Sequence, residues 1–217
     1  MKNEELGMKN HGPSGDQAMS WPLDPDILML IQIATGFFGA LTLVHYMRLL
    51  ARKLGRIAET NVHFSPKGGC LDAVVQELRK AHHEILVQAY SFTSDPLTFG
   101  LVDAKKRGVK VEVLLDRSNE VEKYSDLHIL LEQGLDPLID GEHAIAHNKI
   151  MIIDQKVVIT GSFNFTNQAE GENAENLLIL KGNRELIQRY RDNFFHHKTH
   201  CKPAHMREGE AKTRRAA

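Results

Sequence analysis

HNKIMIIDQKVVITGSFNFT, residues 147–166, decides the fold. Two runs rich in β-branched residues flank the polar pair Asp154-Gln155. Residues 144–153 and 156–160 are therefore predicted as strands joined by a tight turn at that pair. Side chains alternate faces along a strand with period two. His147 and Lys149 then project from one face, with Asn148 and Ile150 on the other. Ser162 and Asn164 likewise share a face on the following segment. Adjacent strands thus bring an imidazole, an ammonium, a hydroxyl and a carboxamide to one spot. Asp154 has the opposite parity to His147 and lies at the turn, which assigns it a structural role in holding the turn or a neighbouring backbone.

Outward from this hairpin the chain alternates short β-rich runs with amphipathic helical runs. Residues 84–92, 109–115 and 176–180 read as strands. Residues 70–82, with Leu71, Val74, Val75 and Leu78 at helical spacing, read as a helix, as do 97–107, 124–133 and 184–197. Gly108 and Gly134 stand where helices commonly end in a left-handed residue. This alternation defines an α/β fold, a mixed β-sheet flanked by helices. The chain carries no internal repeat.

The ordered set His147-x-Lys149, four intervening residues, Asp154, then Gly161-Ser162-x-Asn164, resembles the HxK(x)4D…GSxN signature of the phospholipase D superfamily. A glutamate follows at the family's distance, in Asn173-Ala174-Glu175-Asn176. YSFTS at 90–94 and LLDRSN at 114–119 also look like that family, so the resemblance covers about two-thirds of the chain. It implies a phospholipase D-like α/β/α sandwich and hydrolysis of phosphodiesters through a phosphohistidine at His147, with no cofactor and no metal ion in the reaction. A neutral imidazole can attack phosphorus and divide the displacement into two steps. Lys149 supplies positive charge, while Ser162 and Asn164 supply hydrogen bonds to the nonbridging oxygens. Glu175 is the candidate to accept the Nδ1 proton of His147, leaving Nε2 free to attack. Arg117, just past a strand's end, is a candidate phosphate-binding residue. In the family the leaving oxygen takes its proton from a second histidine, from a second copy of the motif. A single copy implies a homodimer with the active site at its two-fold interface.

Residues 27–44 (ILMLIQIATGFFGALTLV) contain no Asp, Glu, Lys or Arg, and Tyr46 and Met47 extend the run. About 20 such residues cross a bilayer. A single-pass anchor over 27–47 competes with a cleaved signal peptide and a buried soluble helix. The run is longer than a usual signal core and ends in His-Tyr-Met, not in a small-residue cleavage site, which favours the anchor. Asp24 and Asp26 precede it, while Arg48, Arg52, Lys53 and Arg56 follow. This orientation keeps the body of the protein in the cytoplasm and puts the N-terminal tail across the membrane. The predicted order is a disordered tail (1–26), the span (27–47), a basic linker (48–57), the catalytic domain (58–201) and a basic disordered tail (202–217).

Among the 217 residues, 42% are hydrophobic and 25% charged, which excludes a disordered or fibrous chain. A net charge of −1 argues against purely electrostatic, histone-like DNA binding. Cys70 and Cys201 are too few for a disulfide scaffold and read as two free thiols. Of the 12 histidines, His196, His197 and His200 fall with Cys201 in HHKTHC. The pairs His196/His200 and His197/Cys201 have i, i+4 spacing that could hold a metal, but helix C-termini also favour histidine, and no metal site is assigned here. The motif defines a phosphodiester but not what hangs on it. Resemblance to the bacterial single-motif nucleases of the superfamily points to a membrane-anchored endonuclease. The alternative is a phospholipase acting on phosphatidyl lipids, phosphatidylcholine or cardiolipin, as in the similar mitochondrial cardiolipin hydrolase. An inactive scaffold is disfavoured by the intact His147, Lys149, Ser162, Asn164 and Glu175.

Overall fold

A computed structural model describes residues 24–53, 58–122 and 125–205. Residues 1–23 and 206–217 of the predicted tails (1–26 and 202–217), residues 54–57 of the linker, and residues 123–124 lie outside them. The described parts of those tails include the start of a helix at Pro25 and a short strand at Lys202–Pro203, where disorder was expected. The chain divides near Tyr46 into an N-terminal unit and a folded body.

The N-terminal unit is built on α1 (Pro25–Lys53), exposed along nearly all its length and long and apolar enough to cross a membrane. At 1.5 Å per residue its 29 residues reach about 43 Å, more than the roughly 30 Å hydrocarbon core. The hydroxyls of Thr35 and Thr42 donate back to the carbonyls of Ile31 and Phe38, both at 2.8 Å, so neither leaves a polar group unmet. The helix starts two residues before the expected span and continues through 48–53, read from sequence as linker. Nothing in that basic stretch breaks a helix, and positive charge suits a helix C-terminus.

The body contains β1 (Glu59–Phe64), α2 (Cys70–Arg79), β2 (Glu84–Ala89), β3 (Phe92–Thr93), α3 (Asp95–Lys106), β4 (Lys110–Asp116), α4 (Leu127–Glu132), β5 (Leu138–Asp140), β6 (Lys149–Ile153), β7 (Val157–Gly161), β8 (Phe165–Thr166), α5 (Asn167–Gly171), β9 (Asn176–Lys181), α6 (Arg184–Lys198) and β10 (Lys202–Pro203). Eight strands form one mixed sheet in the order β1-β9-β7-β6-β2-β4-β5-β10, and β3 and β8 make a separate pair. The β2/β4 and β4/β5 pairs are parallel, and the other pairs of the large sheet are antiparallel.

Strand alternation divides the core. Ile85, Val87, Met151 and Ile153 face a cluster that includes Val74, Leu78 and Leu101 of α2 and α3. Leu86, Ile150, Ile152 and Val158 face the opposite way and pack on Ile187 and Phe194 of α6. Helices thus cover both faces, as the expected mixed α/β architecture requires. β2 is buried at every position. β1, β5 and β10 were not legible: β1 is almost wholly exposed, β5 has three residues, and β10 is a two-residue edge strand containing a proline.

The predicted strand 144–153 shrinks to Lys149–Ile153. Ahead of it, buried carboxylates take backbone donors. Asp116 Oδ2 accepts the N–H of Ala146 at 2.7 Å, and Asp140 Oδ1 accepts that of Glu142 at 3.3 Å. Residues 141–148 are consequently a tethered loop. Asn148 keeps one sheet-like bond, its carbonyl accepting from the Tyr90 N–H at 2.9 Å.

Candidate active site

Three neighbouring strands bring the motif to one end of the sheet. Met151 pairs with Ile159, and Gly161 with Leu177. Continuing that register sets Lys149 level with Gly161, so the start of β6, the end of β7 and the start of β9 converge. β2 joins them through the Ala89–Lys149 pair.

His147 lies just before β6, not on it, and its side chain is exposed. Its ring packs against Tyr90, centroids 4.6 Å apart. Lys149 is its opposite in exposure, 7% accessible, with Nζ 5.0 Å from the Tyr90 centroid and donating to the His147 carbonyl at 3.1 Å. Burial pulls the Lys149 pKa below the ordinary lysine value, and the negative charge of Glu175 opposes that pull. Glu175 therefore acts electrostatically on Lys149. Its carboxylate accepts from Asn173 Nδ2 at 3.2 Å, and no hydrogen bond among the described residues joins it to His147, the partnership expected from sequence.

Ser162 and Asn164 also sit past their strand. Their segment turns because the N–H groups of Ser162 and Phe163 share the Asn176 carbonyl, at 3.1 and 3.2 Å. Gly161, at φ 144°, makes this possible: a Cβ there would stand 2.3 Å from the Asn176 oxygen. Ser162 Oγ accepts from Asn176 N and Nδ2 at 3.0 and 3.2 Å, leaving its own proton free to donate. Asn164 Oδ1 is buried without a hydrogen-bond partner. Such an orphan acceptor costs about 1–3 kcal/mol until a donor meets it.

Asp154 stands apart from this group. Its carboxylate accepts the backbone N–H groups of His82, His83 and Glu84 at 2.9, 2.7 and 3.0 Å. It opens the three-residue turn 154–156 between β6 and β7, with positive φ at Asp154 and Gln155, 52° and 54°. Burial alone would raise its pKa, but the three N–H donors outweigh that and hold it below the ordinary carboxylate range. A folded-state pKa below the unfolded one contributes stability that is present above about pH 4 and lost as pH falls through the folded value. Asp154→Ala is expected to lower stability by about 2–4 kcal/mol and leave specific activity at low temperature near wild type. Denaturant melts and a matched assay check this.

Arg117, read as a phosphate binder, is exposed and donates from Nη2 to the Ala144 carbonyl at 3.2 Å, tying down the loop that ends in His147. Three supports fall in the segments 90–94 and 114–119 that resemble the family, but no role was assigned to them from sequence. Tyr90 backs both His147 and Lys149. Asp116 holds Ala146. Asn119 donates to the carbonyls of Tyr90 and Asp116 at 2.6 and 3.0 Å and accepts from Ser125 Oγ at 3.1 Å. Their signal was position: each lies at or just beyond the end of a buried strand, where sheet proteins assemble sites. Both cysteines are free, and burial pushes each thiol up to about 11.

Residues 74–198 match the family described as cardiolipin synthase, PLD-like domain. Phospholipase D from Rickettsia prowazekii is 43% identical over 155 residues, 70% of this chain and 75% of that protein. The mitochondrial cardiolipin hydrolase of Mus musculus is 30% identical over 124 residues, 57% of this chain and 56% of its own length. A solved structure of a phospholipase D family member, Nuc from Salmonella typhimurium, superposes with a TM-score of 0.65 at 29% identity, covering 68% of this chain and 99% of that one. The chain belongs to the phospholipase D superfamily. It is a phosphodiesterase of that class.

Proposed function

We propose that this protein is a membrane-anchored homodimeric phosphodiesterase that cleaves phospholipid headgroups through a phosphohistidine. The observation that carries the mechanism is the pairing of an exposed imidazole at 147 with a buried ammonium at 149. His147 Nε2 attacks phosphorus, forming an N–P bond as the P–O bond to the leaving group breaks. The departing oxygen takes a proton from the partner's His147. A water molecule then attacks phosphorus and gives its proton to the same partner imidazole, and the N–P bond breaks. Lys149 and the Ser162 hydroxyl meet the nonbridging oxygens as charge builds on them. The anchor sets the catalytic body on the cytoplasmic side, since Arg48, Arg52, Lys53 and Arg56 follow the apolar run 27–47 in sequence.

Sequence alone put nucleic acid ahead of lipid; we place lipid first, with support from the relatives named phospholipase D and cardiolipin hydrolase. Further support comes from α1 and from Phe64 and Ile145, large apolar side chains 63% and 58% exposed. Phe64 precedes Ser65, whose N–H bonds to the Glu175 carbonyl, and Ile145 lies two residues before His147. Nucleic acid is the second reading, carried by the single-motif pattern.

Full-length protein in detergent is assayed side by side on cardiolipin or phosphatidylcholine vesicles and on single-stranded DNA and RNA, with His147→Ala as blank. Phosphatidic acid or its equivalent should appear above that blank. Cleavage of nucleic acid alone overturns the lipid assignment and keeps the chemistry. For the dimer, wild-type chains are mixed with equal His147→Ala chains and allowed to exchange. Mixed dimers lack either nucleophile or acid, so activity should fall to about one quarter of that of all-wild-type dimers. Independent sites would retain about one half.

A further inference from the structure

A second cluster of titratable side chains lies outside the reacting group. Asp140, the last residue of β5, is 2% accessible at its side chain, and three imidazoles converge on it. His143 Nδ1 is 3.1 Å from Oδ1 and 3.2 Å from Oδ2. His197 Nδ1 is 2.9 Å from Oδ2, and His200 Nε2 is 3.4 Å from it. One ligand atom from each of the four lies within 4.8 Å of every other. His196 and Cys201, which the i, i+4 spacing in the sequence had paired with His200 and His197, are not in the set. Cys201 Sγ donates instead to the His197 carbonyl at 3.2 Å.

We propose that Asp140, His143, His197 and His200 form a structural site for a divalent transition metal, zinc first, which clips the end of α6 to the loop carrying His147. Two features separate this from a carboxylate that merely accepts from neutral histidines. His200 Nε2 is buried and makes no hydrogen bond, so the carboxylate alone does not satisfy it. The ring spacing is also that of a tetrahedral centre. Zn–N bonds near 2.05 Å put imidazole centroids about 3.2 Å from the metal and about 5.2 Å from one another. The observed centroid separations are 4.8, 5.2 and 5.4 Å.

The chemistry and spacing agree. Three imidazoles and a carboxylate suit zinc, and four protein ligands close the site, as in structural centres. Asp140/His143 and His197/His200 are each separated by two residues, a spacing by which zinc sites take paired ligands from one turn. The two turns come from segments that β5 and β10 already hold together, through the Ile139–Lys202 pair. His143 belongs to the 141–148 loop, whose other ties include the bonds from Arg117 to Ala144, from Ala146 to Asp116 and from Tyr90 to Asn148. This site does not depend on the reaction assigned to His147.

Metal is measured in full-length protein purified without chelators, and cobalt is added to the stripped protein. About one zinc per chain is expected, together with the visible absorption of tetrahedral cobalt. Metal at about a hundred times its Kd should raise Tm by about 5–10 °C over the stripped protein. His143→Ala, at a 44% exposed loop position, and His200→Ala should each weaken zinc binding by more than about tenfold. Circular dichroism shows whether each variant is folded, and His196→Ala serves as a neighbouring control with unchanged metal content. Wild-type protein that retains no zinc and gives no cobalt spectrum overturns the proposal. So does equal zinc affinity in folded His143→Ala and His200→Ala.

Discussion

His147→Ala is expected to lower turnover by about 10⁴–10⁶-fold with little change in melting temperature. In a two-fold site the substitution removes the nucleophile from one chain and the acid from the other. Groups acting as such a unit lose most of the rate when any one is deleted. The structural cost is small because the ring is exposed and, among the described residues, makes its ring contact with Tyr90. The loop around it is held by the Asp116–Ala146 and Arg117–Ala144 bonds, none of which involves the imidazole. Turnover per folded chain and a matched thermal melt check both halves. A loss under tenfold with an intact fold would place the nucleophile elsewhere. A large loss accompanied by unfolding would leave Asp154→Ala as the comparison that separates chemistry from stability.

The core strands and most helices were readable because each carries its own local period. β2, β6, β7 and β9 are apolar runs bounded by turns, and α2 shows helical spacing with no help from the rest of the chain. The motif residues were readable because their chemistry is concentrated within 29 positions, from His147 to Glu175. What was lost has a common cause: it depends on residues far apart in the chain. Strand parity placed His147 and Lys149 on one ladder, but the Asp116 carboxylate draws Ala146 out of it. Asp140 and His197 are 57 residues apart, so no spacing rule links them, and the local pairs took in His197 and His200 of the cluster together with His196 and Cys201, which lie outside it. The two-residue β10 becomes a strand only because β5 is there to receive it.

Lys149→Met separates catalysis from stability in the opposite sense to Asp154→Ala. The ammonium is 7% accessible, and its hydrogen bond among the described residues is to the His147 carbonyl. Burying a charge with so little compensation is unfavourable, as the lowered pKa records. Methionine fills a similar volume without that cost, so Tm should hold or rise. Activity should fall by about 10³-fold or more, because the fixed positive charge facing the phosphoryl oxygens is gone. The pH dependence gives an independent sign. In wild type the folded-state pKa lies below the unfolded one, so between the two the unfolded chain binds more protons. Stability therefore rises with pH across that alkaline window. The cost of the buried charge is fully present below the folded pKa and relieved above it. Lys149→Met should lack this rise, and its advantage over wild type should be greatest at neutral pH and shrink towards the alkaline end. Denaturant melts over that range, run beside single-turnover rates, test both signs. A variant both inactive and less stable at neutral pH would mean that Lys149 is held by a partnership stronger than the cost of burying it.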